Sequence, residues 1–347
     1  MKRTSLADIA NALGVSPTLV SMVLNHRGDK NGISPETQKK VREKAKELNY
    51  QPNRMARGLR LGRSNTIGLI VADISNSFYA QIARSIEDEA AKQGYHLLVS
   101  SSDEKENHEK ELIERFLERQ VDGLIISTTL TSSDTLAELW KRQMPFVLID
   151  RYFPSFQTNF VIVDNAAASE KMVSHLIQNG YTRIGLLTIT PGHISSICDR
   201  VEGYKTALRS HNIEFDPRLV KEISFDHPTQ SVNTAIEELL YLPDKVEAIF
   251  ALNNRLAVTC LECLSERQIS IPEEMALVSF DDENLFRFCH PPITAIAQPV
   301  KDIGKEAFRV LKQEMDTDKP PENIHNIVLS ATLEVRKSAV NRSVLEW

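Results

Sequence analysis

The stretch Ser5-Leu6-Ala7-Asp8-Ile9-Ala10-Asn11-Ala12-Leu13-Gly14-Val15-Ser16-Pro17-Thr18-Leu19-Val20-Ser21-Met22-Val23-Leu24 decides how this chain begins to fold. Leu6, Ile9, Ala10 and Leu13 recur at helical spacing, Ser5 stands at the N-cap, and Asp8 follows three residues later as its capping partner. Gly14 suits the left-handed turn that ends such a helix. Ser16 then caps a second helix with Pro17 in its first turn, where a missing N–H costs nothing. Leu19, Val20 and Val23 give that helix its apolar face. A break of about three residues between two helices is helix-turn-helix spacing. Ser34-Pro35-Glu36 opens a third helix, with Val41, Ala45 and Leu48 inward and Lys39, Lys40, Arg42, Lys44 and Lys46 mostly outward. A small all-α headpiece is expected.

Charge separates this end from the rest. Residues 1–63 hold thirteen Lys and Arg against five Asp and Glu, a balance of +8, whereas the whole chain stands at −6 and the remainder therefore at −14. A basic module on an acidic body suits a polyanionic partner. The 347 residues exceed one ordinary core, and 41% hydrophobic with 25% charged residues is a globular composition. Apolar runs such as Ile67–Ala72 fall far short of the ~20 residues of a membrane helix. Asp8 and Asn11 interrupt any signal-peptide core. Four cysteines make no disulfide framework. A cytoplasmic protein with no membrane partner is expected.

From Ile67 the pattern becomes short apolar strands alternating with amphipathic helices. Strands are expected at Ile67–Val71, His96–Ser100, Gly123–Ser127 and Phe146–Ile149, then at Arg183–Leu187, Leu219–Ile223, Ala248–Ala251 and Ala276–Phe280. Helices run between them. Such winding predicts two doubly wound parallel sheets with a ligand cleft at the strand C-termini. Asn76, Phe78 and Tyr79 follow the first strand, and Asp150 and Arg151 follow the fourth. Charged and amide groups beside an aromatic wall suit a sugar, because each hydroxyl needs a partner and a ring face needs apolar cover.

The headpiece motifs, with Leu48-Asn49-Tyr50-Gln51-Pro52-Asn53 and Ala56-Arg57-Gly58-Leu59 after them, closely resemble the lactose/galactose-repressor family of bacterial transcriptional regulators, and the resemblance runs through essentially the whole chain. It implies an N-terminal headpiece (residues 1–52), a hinge helix (53–64), a periplasmic-binding-protein-like sensor of two lobes (65–340) and a short tail (341–347). Lobe one is expected at about 65–161 and 293–322, and lobe two at about 162–292 and 323–340. Crossings then fall near residues 162, 292 and 323, and Ile324–Arg336 returns to lobe two.

The implied partner is double-stranded operator DNA, read by a homodimer because one headpiece covers one half-site. Ser5, Leu6, Ser16, Pro17, Thr18, Ser21, Met22 and Asn25 are the headpiece candidates. Family members often carry arginine at the position of Met22; methionine offers only apolar contact, so a different base preference is expected there. The loop His26–Ile33 is longer than in close relatives and is expected to face the DNA backbone. In the hinge, Asn53, Arg54 and Arg57 are further candidates, Arg54, Arg57, Arg60 and Arg63 match phosphate contacts, and Leu59 matches a leucine that wedges into the minor groove.

In the sensor the resemblance adds Ser196, Arg200, Asn253, Asp281 and Gln298 to the effector set. Many relatives have Asp where this chain has Asn254. Residues 65–130 and the Glu283–Gln298 stretch look most like the fructose-responsive branch, which implies a sugar or sugar phosphate, with Arg151 and Arg200 available for an anion. The expected function is a repressor of carbohydrate-metabolism genes whose effector changes the angle between the lobes. Gating by a partner protein is the alternative within regulation.

An enzyme on a sugar-binding fold is the rival from another class, but no phosphate loop, Gly-x-Ser-x-Gly or His-Glu-x-x-His motif supplies its chemistry. Cys260-x-x-Cys263 lies in an expected helix and reads as core; neither metal nor cofactor is expected.

Overall fold

The computed structural model describes residues 4–50, 63–190, 192–317 and 324–341. The chain divides at Ser64/Asn65 into two compact units.

In the first unit, α1 (Leu6–Leu13), α2 (Pro17–Leu24) and α3 (Pro35–Glu47) follow their caps. The Ser5 hydroxyl accepts from the Asp8 amide at 3.2 Å while the Asp8 carboxylate accepts from the Ser5 amide at 2.7 Å. Gly14 closes α1 at φ 66°. Ser16 and Ser34 cap α2 and α3, each followed by proline. α1 and α2 meet at 111°, within the range of a helix-turn-helix. Ile9, Ala10, Val20, Val23, Val41 and Ala45 fill the core. The His26–Ile33 loop is tied down more than its composition suggests. It contains a 3-10 turn, Asp29–Asn31, and the buried Gln38 side chain donates to Asp29 Oδ1 and to the Ile33 carbonyl.

The second unit begins with β1 (Thr66–Val71), α4 (Ser77–Lys92), β2 (His96–Ser101), α5 (Glu106–Glu118), β3 (Gly123–Ile126), α6 (Asp134–Lys141), β4 (Phe146–Ile149) and β5 (Phe160–Val163). It continues with α7 (Asn165–Gln178), β6 (Ile184–Ile189), α8 (Ser195–Ser210), β7 (Val220–Ile223), α9 (Pro228–Leu240), β8 (Ala248–Ala251), α10 (Asn254–Glu266) and β9 (Ala276–Phe280). Last come β10 (Thr294–Ala297), α11 (Val300–Met315), β11 (Asn326–Leu329) and β12 (Thr332–Glu334). Among the described residues no single helix is long and apolar enough to cross a membrane.

Two six-stranded sheets result, ordered β11-β5-β4-β3-β1-β2 in lobe one and β12-β10-β9-β8-β6-β7 in lobe two. Alternation along β1 sends Ile67, Leu69 and Val71 under α4 and α11, and Ile70 under α5 and α6. Lobe two repeats the scheme, with Leu186 facing α7 and α8 and Leu187 facing α9 and α10.

The sheets place two of the three crossings later than expected. β5 pairs with β4, so lobe one keeps the chain through Val163, in line with the crossing expected near 162. β10 pairs with β9, so the expected crossing near 292 falls after Ala297. β11 pairs with β5 and β12 with β10, so the crossing expected near 323 falls between Leu329 and Thr332, and only the end of Ile324–Arg336 joins lobe two. β12 also runs antiparallel to β10, an exception to the expected parallel sheets. The reason is the same in each case: ladder partners decide a strand's lobe, and those partners are remote in sequence.

Candidate functional site

The carboxyl ends of both sheets converge on a cleft. Asp150 ends β4 and Asp281 ends β9, the third strand in each sheet order, and both adopt left-handed backbone, φ 64° and 70°. A non-glycine residue pays strain for that conformation, which persists where surrounding structure imposes it. Here it turns both carboxylates into the cleft. Asp150 Oδ1 and Asp281 Oδ2 each lie 3.9 Å from the guanidinium of Arg200, which α8 supplies. That guanidinium is held from three further sides. Its Nε donates to Asn165 Oδ1 at 2.8 Å, its Nη1 to the Leu252 carbonyl at 2.6 Å, and its flat face lies 3.7 Å from the centre of the Phe280 ring.

On the lobe-one wall, Tyr79 donates its hydroxyl to Asp150 at 2.8 Å and accepts from Ser127 at 3.1 Å. Burial pushes the Tyr79 hydroxyl pKa well above its ordinary value, so it serves as a neutral donor. Arg151 forms a fork-to-fork pair with Glu104, at 2.7 and 2.5 Å. Burial is the largest single influence and works against the Arg151 charge, but the groups around it, Glu104 foremost and Asp150 with it, together raise the pKa well above its usual value. Burial raises the Asp281 carboxyl, opposed by Arg200 and by Gln298. Gln298 donates to Asp281 at 2.5 Å without lining the cavity; it positions the carboxylate.

The other nine expected effector residues, Asn76, Phe78, Tyr79, Asp150, Arg151, Ser196, Arg200, Asn253 and Asp281, all line one cavity between the lobes. Asn76 and Asn253 also cap α4 and α10. Sequence reasoning missed Asp73 and Glu104 on the lobe-one side of the lining and Ile189, Ile197, Phe225 and Arg255 on the lobe-two side. Asp73, Glu104 and Phe225 stand just after β1, β2 and β7, so the strand-end rule that found Asn76 and Asp150 reaches them too.

The lobes touch around this cavity. Tyr152 donates its amide to Ser195 Oγ at 2.9 Å, Asp73 pairs with Arg255 at 3.1 Å, and the Asn254 amide donates to Asn76 at 2.9 Å. The Arg151 and Arg200 cations expected to await an anion are therefore already matched by Glu104, Asp150 and Asp281. The third cleft cation, Arg255, is matched by Asp73 and stacks over Phe225 at 5.0 Å.

In the headpiece, Pro17 and Thr18 are exposed at the start of α2, and Ser21 and Met22 are half-buried on it. Ser5 and Asn25 are exposed, but each spends its side chain on a helix end, Ser5 on the Asp8 amide and Asn25 on the Ser21 carbonyl at 2.8 Å. Ser16 is likewise exposed and caps α2. Leu6 is half-buried against the core. Asn53, Arg54, Arg57, Leu59 and Arg60 lie outside the described residues. Cys260 and Cys263 sit in the lobe-two core, and among the described residues no three His, Cys, Asp or Glu side chains gather as metal ligands.

A helix-turn-helix unit on a two-lobed α/β sensor with a polar cleft defines a DNA-binding transcriptional regulator. Residues 5–53 match the family model described as bacterial regulatory proteins, lacI family, and residues 173–339 match that of a periplasmic binding protein-like domain. The HTH-type transcriptional regulator KdgR of Bacillus subtilis is 31% identical over 96% of this chain and 97% of its own, and catabolite control protein A of Priestia megaterium 32% over 96% and 98%. The chain belongs to the LacI family. Among solved structures, a CelR–cellobiose complex is 28% identical with TM-score 0.71, covering 97% of this chain and all of the other. A LacI-family regulator from Enterococcus faecium with bound ribose is 28% identical with TM-score 0.69, covering 80% and 99%.

Proposed function

We propose that this protein is a repressor of carbohydrate-metabolism genes whose operator affinity is set by an uncharged sugar held between the lobes. One observation carries the choice of an uncharged ligand: each of the three guanidinium groups lining the cleft lies against a carboxylate. A phosphate would have to displace Glu104 or lie beside Asp150 and Asp281, at a desolvation cost with no free cation to offset it. A neutral polyol needs what the cleft offers, which is paired donors and acceptors in a lining that also holds Phe78 and Phe225. The cellobiose and ribose complexes of related regulators support a sugar. The fructose-like character of residues 65–130 puts fructose first among those to try.

The headpiece would lay α2 in the major groove, with Pro17, Thr18, Ser21 and Met22 toward base edges, and Asn53, Arg54, Arg57 and Leu59 would continue into the minor groove. A homodimer on a pseudo-palindromic operator, working in the cytoplasm, completes the reading. Operator binding at fixed salt, with and without fructose, ribose, cellobiose and the phosphates of fructose, is the test. The proposal expects a free sugar to change operator affinity and the phosphate esters to have no effect. A response confined to the phosphate esters would overturn it.

A further inference from the structure

Four side chains at one edge of the cleft, of which only Asn76 lines the cavity, join the lobes. Asn254, the first residue of α10, is 4% exposed and does not line the cavity. Its side-chain nitrogen faces three oxygens: Asn76 Oδ1 at 2.9 Å, Ser77 Oγ at 3.3 Å and Glu283 Oε1 at 2.5 Å. Ser77 in turn donates its hydroxyl to the same Glu283 oxygen. Asn76 and Ser77 belong to lobe one; Asn254 and Glu283 belong to lobe two. The Glu283 carboxylate is thus a shared acceptor for a donor from each lobe.

A donor is what this arrangement requires, and the two N–H groups of the Asn254 amide supply it. All three oxygens around the Asn254 nitrogen accept, so the group at their centre must donate. A carboxylate there would meet Glu283 with like charge and remove the interlobe donor to Asn76 Oδ1, leaving that oxygen only the Phe78 amide at 3.0 Å. The Asp73–Arg255 pair, at 3.1 Å, runs parallel to this contact.

We propose that Asn254, Ser77 and Glu283 form an interlobe latch that stabilises the closed cleft, so that position 254 sets how readily the cleft opens. This deepens the sensor reading above and rests on it for its biological meaning. Asn254 and Glu283 lie outside the cavity lining, so a change at 254 acts on sugar affinity through the population of the closed form and through Asn76, the one latch partner that lines the cavity.

The test uses the full chain without sugar. The Tyr152 amide donates across the cleft to Ser195 Oγ, a contact that shares no atom with the latch, so its hydrogen exchange reports opening. Asn254→Asp is expected to speed that exchange about tenfold, as the loss of interlobe hydrogen bonds to a repelling carboxylate implies. Adding Glu283→Gln, which turns the shared acceptor into a donor, is expected to bring the rate back toward that of the native chain. Asn254→Ala, which removes the donor without adding charge, is expected to fall between and serves if the Asp variant does not fold. Unchanged Tyr152 exchange in the Ala variant, or in a folded Asp variant, overturns the latch, as does failure of Glu283→Gln to reverse the effect. Failure of the sugar reading would show instead in titrations of the native chain and would leave the exchange result standing.

Discussion

Asp150 and Asp281 occupy equivalent strand ends in the two lobes, share a left-handed backbone, and each hold a carboxylate oxygen 3.9 Å from Arg200. One guanidinium therefore neutralises a carboxylate from each lobe at the point where they meet. Arg200→Lys keeps the charge but cannot reach Asn165 and the Leu252 carbonyl together. It is expected to weaken sugar binding at least about tenfold, the equivalent of one lost charge-assisted hydrogen bond. Sugar-free operator affinity should stay near the native value. Calorimetric titration with the responsive sugar, beside an operator-binding assay, checks both parts.

Glu104 and Arg151 form a two-hydrogen-bond pair in which neither side chain is more than 9% exposed. Glu104→Ala leaves the buried guanidinium with Asp150 at 3.4 Å and the Thr128 carbonyl at 3.2 Å as its remaining partners, and is expected to cost about 1–3 kcal/mol of stability, read as a fall in denaturant midpoint. Glu104→Gln, which keeps the shape, is expected to give the cleft an affinity for sugar phosphates that the native chain lacks. A variant that still ignores phosphate esters would count against the charge-matching argument.

Glu314 reaches from α11 to the start of the lobe-one strands, accepting from the Phe146 amide at 3.0 Å and from the Asn159 side chain. Burial pushes its pKa up to about 7 from an ordinary 4.5. The folded state thus holds a proton that the unfolded chain releases near pH 4.5, and the associated stability is full below pH 4.5 and lost as pH rises through about 7. Urea unfolding at pH 5 and pH 8 is expected to show the native chain losing more stability than Glu314→Gln across that interval. Equal losses would remove Glu314 from the pH response.

Gly28 lies against the side chain of Gln38, and a Cβ there would fall 2.4 Å from Gln38 Cδ. Gly28→Ala must displace the amide that holds Asp29 and the Ile33 carbonyl. The expected cost is about 1–3 kcal/mol, that of leaving a buried polar group unsatisfied. Faster amide exchange at Val41 and Ala45, with weaker operator binding, is the readout.

Met22 is half-buried on α2 with its outer face available. Met22→Arg is expected to introduce a guanine preference at one operator position of about 1–3 kcal/mol, measured by affinity for all four bases there. No change in base preference would place residue 22 away from the base edges.

The headpiece was legible residue by residue because its signals are local. Ser5 with Asp8, Gly14, Ser16-Pro17 and Ser34-Pro35 each act within one helical turn, and the helices start and stop where those caps stand. Eight of the twelve strands described in the sensor were legible as apolar runs, while β5, β10, β11 and β12 were not, and nine of the cavity-lining residues were legible through the strand-end rule and the family resemblance together. Tertiary structure decided what depends on partners distant in sequence. β10 joins lobe two and β11 lobe one only through ladders to β9 and β5, and no feature within either strand announces the partner. Likewise, Arg151 and Arg200 read as free cations until folding brings Glu104 across 47 residues and Asp150 and Asp281 from two different sheets. A side chain's charge is written in its own residue, but whether that charge is available depends on what the rest of the chain places beside it.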